Sequence, residues 1–302
     1  MMTVPCLAAL LVYVSSAMPH RKSLRRASWT AGLLALAVTG AIALASTAKA
    51  PATTRPQRIV SLNMCADQLV LALADRSQIA GLTRNAAKPE LSAEAANARG
   101  LRILGTSAEE ILEIEPDLVV GMPARRSAAM TALGGQSYDM LDLQPVNTLD
   151  DIYAAIRQTA AAVGHPDRGE AMIAQMRAEL ARIPANGRGR VAAYYQRRGF
   201  MTGTGTLIDD LMTRAGMINL AAKLGKPPLA QVSLEEMVAA QPDFLIVESA
   251  TDRVTDQGTE MLHHPALRDI ARISIPQAWT VCGGPAYVKA ARGMAEQIGR
   301  KS

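Results

Sequence analysis

Ser107-Ala-Glu-Glu-Ile-Leu-Glu-Ile-Glu-Pro-Asp-Leu-Val-Val120 decides the fold, because the chain writes the same template again as Ser233-Leu-Glu-Glu-Met-Val-Ala-Ala-Gln-Pro-Asp-Phe-Leu-Ile246. The two stretches align without a gap, and most differences exchange one apolar residue for another. An internal repeat means that one structural unit occurs twice. The unit here is a short helix feeding a strand, and the copies stand too far apart for a solenoid. The expected fold is α/β, with two similar lobes in one polypeptide.

Each residue of the template has a physical role. Ser107 and Ser233 suit a helix N-cap, where a hydroxyl accepts from an orphan backbone N–H. Glu110 and Glu236, three residues on, complete the pattern of a capping box. Pro116 and Pro242 disfavour helical geometry at Glu115 and Gln241, so the helix stops there. Asp117 and Asp243 then lead into apolar runs at 118–120 and 244–247, as expected of parallel strands buried on both faces. Glu109 and Glu235 are left over, since neither the cap nor the core requires them.

The first fifty residues read as an export signal. Met18 precedes Arg21, Lys22, Arg25 and Arg26, an apolar run follows over 29–45, and small residues come after it. That is the order of a secretory signal peptide, with translation starting at Met18 and cleavage after Ala45, Ala48 or Ala50. The alternative is a membrane anchor, because the run approaches the ~20 residues needed to span. The expected location is the periplasm.

Removing the segment changes the charge argument. The whole chain carries 32 Lys and Arg against 27 Asp and Glu. Arg21, Lys22, Arg25, Arg26 and Lys49 all lie in the first fifty residues, which hold no acid. The remainder is therefore neutral, and no nucleic-acid partner is expected; the scarcity of aromatics argues the same way. Cys65 and Cys282 are the cysteines left, and in an exported protein they either pair or never meet.

Strands are expected at 58–62, 79–82 and 191–195, and extended structure at 137–143 and 279–282. Helices are expected at 66–74, 127–133, 206–215, 264–273 and 286–298. This alternation predicts α/β lobes with mainly parallel sheets. Residues 148–163 and 167–183 differ, with apolar stripes at helical spacing (Ile152, Ile156, Ala160, Val163; then Met172, Met176, Leu180, Ile183). They read as a long helical connector. The expected organisation is a signal at 1–50, a lobe at 55–146, the connector at 147–188 and a second lobe at 189–302.

Ligands of open parallel sheets bind beyond the carboxyl ends of the strands. The residues expected there are Asn63, Met64, Arg84, Arg125 and Arg126 in the first lobe. In the second they are Arg197, Arg198 and Arg253, with Tyr195, Trp279 and Tyr287 at plausible cleft positions. Guanidinium groups suit carboxylate, phosphate and catecholate oxygens, so a bulky, partly anionic ligand is expected. No catalytic constellation stands out. His165, His263 and His264 lack the spacing of a metal site. The glycine turn at 203–206 lacks the third glycine and the lysine of a phosphate loop.

The export signal, the two α/β lobes, the helical connector and the doubled Ser-x-Glu-Glu…Pro-Asp motif together resemble the periplasmic substrate-binding proteins for ferric siderophores, haem and vitamin B12 that feed ABC importers. The resemblance covers nearly all of residues 58–298. It implies a monomeric receptor without cofactor, metal or enzymatic activity. It implies that Glu109 and Glu235 dock on arginines of the permease, and that the ligand sits between the lobes. The arginines fit a ferric siderophore or a haem propionate better than a corrinoid. Two strand-end loops would bring Cys65 and Cys282 together as a disulfide. The rival readings are an exported two-lobed enzyme using a nucleotide-type substrate at 203–206, and a binder of bare metal ions through the histidines.

Overall fold

A computed structural model of the chain describes residues 55–105, 107–133 and 138–301. The expected export segment, and the start of the extended run at Ser137, lie outside the described residues. Eleven strands and ten helices are described, in chain order. The first lobe contains β1 (Ile59–Ser61), α1 (Met64–Leu73), β2 (Ile79–Thr83), β3 (Ile103–Leu104), α2 (Ala108–Ile114), β4 (Leu118–Gly121), α3 (Ala128–Ala132) and β5 (Met140–Asp142). Two long helices follow, α4 (Leu149–Ala162) and α5 (Pro166–Leu180). The second lobe contains β6 (Val191–Tyr195), β7 (Phe200–Thr202), α6 (Leu207–Arg214), β8 (Ile218–Asn219), α7 (Leu220–Lys223), β9 (Leu229–Gln231), α8 (Leu234–Ala240), β10 (Phe244–Glu248), α9 (Gln257–Glu260), β11 (Ala271–Ile275) and α10 (Tyr287–Arg300).

The first sheet has the order β3-β2-β1-β4-β5 and is parallel throughout. The second runs β11-β10-β6-β7-β9, with β8 beside β6. Its β7 and β9 are antiparallel to their neighbours. The short turn between β6 and β7 leaves no room for the crossover that a parallel pair needs.

The repeat folds as a repeat. α2 leads to β4 beside β1, and α8 leads to β10 beside β6, both pairs parallel. Glu115 and Gln241 end their helices in the left-handed region, with φ of 49° and 45°. Asp117 accepts from the backbone N–H groups of Gln57 and Arg58, each at 2.8 Å. Asp243 accepts from the N–H of Val191 at 2.7 Å. The same aspartate thus holds the backbone where each lobe's first strand begins.

The caps depart from expectation. Ser233 accepts from the N–H of Glu236 at 3.1 Å, whereas Ser107 makes no such bond to Glu110. Neither glutamate reaches back to close a box. Glu236 pairs with Lys226 at 2.7 Å, and Glu110 folds over Gly105.

Two expected elements are corrected. Residues 264–273 are not a helix: a single tight turn at Pro265–Leu267 gives way to β11. Ala-Arg-Ile-Ser-Ile alternates, burying Ile273 and Ile275, and it pairs residue for residue along the open side of β10. Residues 279–282 are not extended either. The chain turns at Gln277–Trp279, because β11 has already ended before Pro276.

The first connector stripe is buried as its spacing predicts; of the second, Met176 and Leu180 are buried, while Met172 and Ile183 are only partly so. Thr148 and Asp151 close a capping box on α4, and Ile152, Ile156, Ala160 and Val163 are fully buried. On α5 it is Ile173, with Met176 and Leu180, that enters the core most deeply. His165 lies 3.0 Å from both Gln78 and Asp75, and Arg168 reaches Asp75 at 2.7 Å. These contacts fasten the α4–α5 turn to the end of α1. One continuous core includes Leu69 and Val120, then Ile156 and Ile173, then Phe244 and Met294, so it spans both sheets and the helices between them. A shared, close-packed core resists hinge motion.

Candidate functional site

Two cavities open where the parallel strands end. The first, about 450 Å³, lies beyond β1, β2 and β3 and is lined by Ser61, Asn63, Met64, Thr83, Arg84 and Asn85 among others. Its floor is organised by Asp67, which is fully buried. Asp67 accepts from the Thr83 N–H at 3.1 Å and from the Thr83 hydroxyl at 2.5 Å. Burial pushes its carboxyl up to about 6, against hydrogen bonds from Thr83 and Ser61 that pull it down. Fixing Thr83 fixes the point at which Arg84 leaves the strand.

The second cavity, about 310 Å³, lies beyond β6, β10 and β11 and is lined by Tyr194, Gln196, Glu248, Gln277, Thr280 and Thr206, among others. Val146 and Asn147, just ahead of α4, also line it. Gln196 donates to the Thr202 hydroxyl at 2.9 Å. Burial raises the Glu248 carboxyl above its ordinary range, partly offset by Tyr194, whose hydroxyl stands 3.4 Å away. Thr202 pairs with Leu229, and Phe200 is two residues before Thr202. Strand alternation puts all three on one face. Phe200 and Leu229 remain 36% and 59% exposed, so an apolar shelf extends from the cavity.

The two cavities flank one covalent bond. Cys65 follows Asn63 and Met64 of the first, and Cys282 follows Thr280 and Val281 of the second. The two cysteines form a disulfide with Cα atoms 5.2 Å apart, within the span such a bond allows.

Of the residues expected from sequence, the structure brings Asn63, Met64 and Arg84 together in the first cavity. The rest lie elsewhere. Tyr195 is fully buried on the opposite face of β6 and donates to the Val232 carbonyl at 2.9 Å; burial pushes its hydroxyl up to about 12. Its neighbour Tyr194 lines the cavity instead, since adjacent strand residues face opposite ways. Tyr287 is 1% exposed and donates to Asp210. Trp279 is half-buried against the core between the lining residues Gln277 and Thr280. Arg125 sits 3.9 Å from Asp142 and Arg197 is paired with Asp256. Those two, with Arg126, Arg198 and Arg253, are exposed and line neither cavity.

Tyr194, Glu248, Gln277, Phe200 and Leu229 escaped the sequence reading. Strand parity could have separated Tyr194 from Tyr195. Nothing local signals that β7 and β9 join the sheet and carry Phe200 and Leu229 to the rim.

Glu109 and Glu235 are exposed on the first turns of α2 and α8. Both carboxyls are held below their usual range, first by their own backbone N–H and then by the hydroxyl of Ser107 or Ser233. The turn at 203–206 caps α6: Thr206 accepts from the Asp209 N–H at 3.3 Å, and a Cβ on Gly203 would stand 2.3 Å from the Pro227 carbonyl. The histidines do not converge. His165 belongs to the α1 clasp, His263 bonds the Thr251 carbonyl at 2.8 Å, and His264 accepts from the Ala266 N–H at 3.2 Å. No group of three or more metal-ligating side chains occurs among the described residues.

Comparison with known proteins places this geometry in context. Residues 59–271 match the family described as periplasmic binding protein. A vitamin B12-binding protein of Pectobacterium carotovorum is 26% identical over 254 residues, covering 80% of this chain and 88% of that protein. The apo periplasmic heme-binding protein RhuT of Roseiflexus shares 27% identity with a TM-score of 0.63, over 80% of this chain and 97% of that one. The vitamin B12-binding protein BtuF of Vibrio cholerae shares the fold, with 18% identity and a TM-score of 0.61, over 82% and 98% of the two chains.

Proposed function

The chain belongs to the periplasmic binding protein family, and on that premise we propose that it captures a bulky solute between its lobes and delivers it to the permease of an ABC importer. The solute is an iron complex (a ferric siderophore or haem) or a corrinoid. The observation that carries this reading is the pair of cavities at the carboxyl ends of both sheets, on either side of the Cys65–Cys282 bond. Large pockets with a few convergent polar groups are the usual form of a small-molecule site. The relatives are themselves binding proteins for vitamin B12 and haem.

The remaining assignments follow from this role. Residues 55–146 and 189–302 act as the lobes and 147–188 as a rigid connector. Residues 1–50 direct export to the periplasm. The protein acts as a monomer and turns over no substrate. Glu109 and Glu235 present matching carboxylates on equivalent helices, one per lobe, for cationic partners on the permease. Asn63, Met64 and Arg84 contact the solute from the first lobe; Tyr194, Glu248 and the Phe200–Leu229 shelf contact it from the second. A reconstituted importer tests the reading: adding the protein to proteoliposomes should accelerate uptake of labelled cobalamin, haem or a ferric siderophore. No acceleration with any of them would refute delivery.

A further inference from the structure

The second cavity is built from neutral amides and hydroxyls around a single carboxylate. Gln196, Gln277 and Asn147 supply amides, while Tyr194 and Thr280 supply hydroxyls. None of its lining residues is an arginine or lysine. Arg197, the cation that bears electrostatically on Glu248, has its guanidinium committed to Asp256. Among the described residues, the Glu248 carboxylate takes one hydrogen bond, from Tyr194 at 3.4 Å. A half-buried carboxylate offers about four acceptor sites, and Tyr194 fills one of them, so the rest are open to donors of a solute.

We propose that Glu248 is the specificity-determining residue of the second-lobe half of the site, accepting a hydrogen bond from an N–H donor of the solute and rejecting solutes that present a carboxylate or catecholate there. This deepens the proposed function and rests on it. The solute class becomes neutral and amide-bearing, in contrast to the anionic ligand that the arginines suggest in sequence. The physical basis is asymmetric: a site built to receive an N–H loses little with such a ligand, whereas an anion opposite Glu248 meets like charge at short range. The raised protonation point of Glu248 has the same origin, since burial disfavours its charge until a donor arrives.

The test measures equilibrium binding of four probes to the whole protein: cyanocobalamin and ferrichrome, both neutral and amide-rich, and haem and ferric enterobactin, both anionic. The expected result is that a neutral probe binds the wild type at least tenfold more tightly than either anionic one. In Glu248→Gln, whose fold is checked by its melting curve, that probe weakens by about tenfold or more, as loss of a charge-assisted hydrogen bond implies. The gap to the anionic probes narrows. Preferred binding of haem or ferric enterobactin by the wild type overturns the proposal even if the variant fails to fold. So does an unchanged affinity in a folded Glu248→Gln. In either case the capture function stands, because a probe is bound. Binding of none of the four overturns both.

Discussion

Cys65 and Cys282 are bonded across the boundary between the two sheets, joining the first turn of α1 to the loop ahead of α10 over a sequence separation of 217 residues. The bond lies between the two cavities, so it ties the halves of the candidate site where a solute would separate them. Together with the shared core, it describes a receptor whose lobes hold nearly fixed positions.

Removing that bond should be felt in stability. A disulfide that closes a long loop typically contributes about 2–4 kcal/mol. Cys65→Ser combined with Cys282→Ser should lower the denaturant midpoint accordingly, and a reductant should do the same to the wild type. A midpoint unaffected by both treatments would mean that the bond does not constrain the fold.

Gly283 is the neighbouring contact between the halves. A Cβ there would stand 2.1 Å from Val146 Cγ1 and 3.3 Å from Ile152. Overpacking of this kind costs about 1–3 kcal/mol. Gly283→Ala should therefore melt at lower temperature than the wild type. An unchanged melt would show that the loop moves aside freely.

The buried Asp67 gives a pH signature. Its carboxyl is raised from 3.8 to about 6 in the fold. The folded state therefore disfavours its ionisation. The group costs nothing below the unfolded value, its cost grows as pH rises between the two values, and it is complete above the folded one. The difference between the two values corresponds to on the order of 3 kcal/mol. Asp67→Asn should gain stability relative to the wild type as pH rises through this window, in denaturation curves taken at several pH values. A difference that stays flat, or that grows towards acid, would contradict the assignment.

Glu109→Ala with Glu235→Ala should leave solute affinity unchanged and reduce uptake by the reconstituted importer. Close charge pairs at an interface couple by ~1.5–7 kcal/mol, while exposed pairs within one chain seldom exceed ~1 kcal/mol. Full uptake by the double variant would remove the docking role.

The fold was legible because the repeat is an arrangement of backbone constraints. The prolines that stop both helices, and Ser233 at its N-cap, act on the adjacent backbone, so the two units announce themselves locally, even though Asp117 and Asp243 bond strand backbone far away in sequence. The connector stripes are legible because helical spacing of apolar residues is also a local signal. The site was only partly legible. Asn63, Met64 and Arg84 directly follow strands and could be read in place. The error at 264–273 arose because β11 exists by pairing with β10, a contact between distant segments. The arginines misled because a loop position beyond a strand says nothing of where a long side chain goes, and Arg197 finds Asp256 instead of the cavity. Tyr195 was off by one residue, which on a strand means the opposite face.

The central claim is that one solute binds between the two sheets. Trp279 packs against the core instead of lining the second cavity, but in sequence it stands between the lining residues Gln277 and Thr280, so its fluorescence should report a solute bound there. Titration with cobalamin, haem and ferric siderophores should give saturable, single-site quenching with one of them and should lose it when Tyr194 and Glu248 are both replaced by alanine in a protein that still folds. Flat titrations with every member, or quenching that survives that replacement at full affinity, would contradict the account.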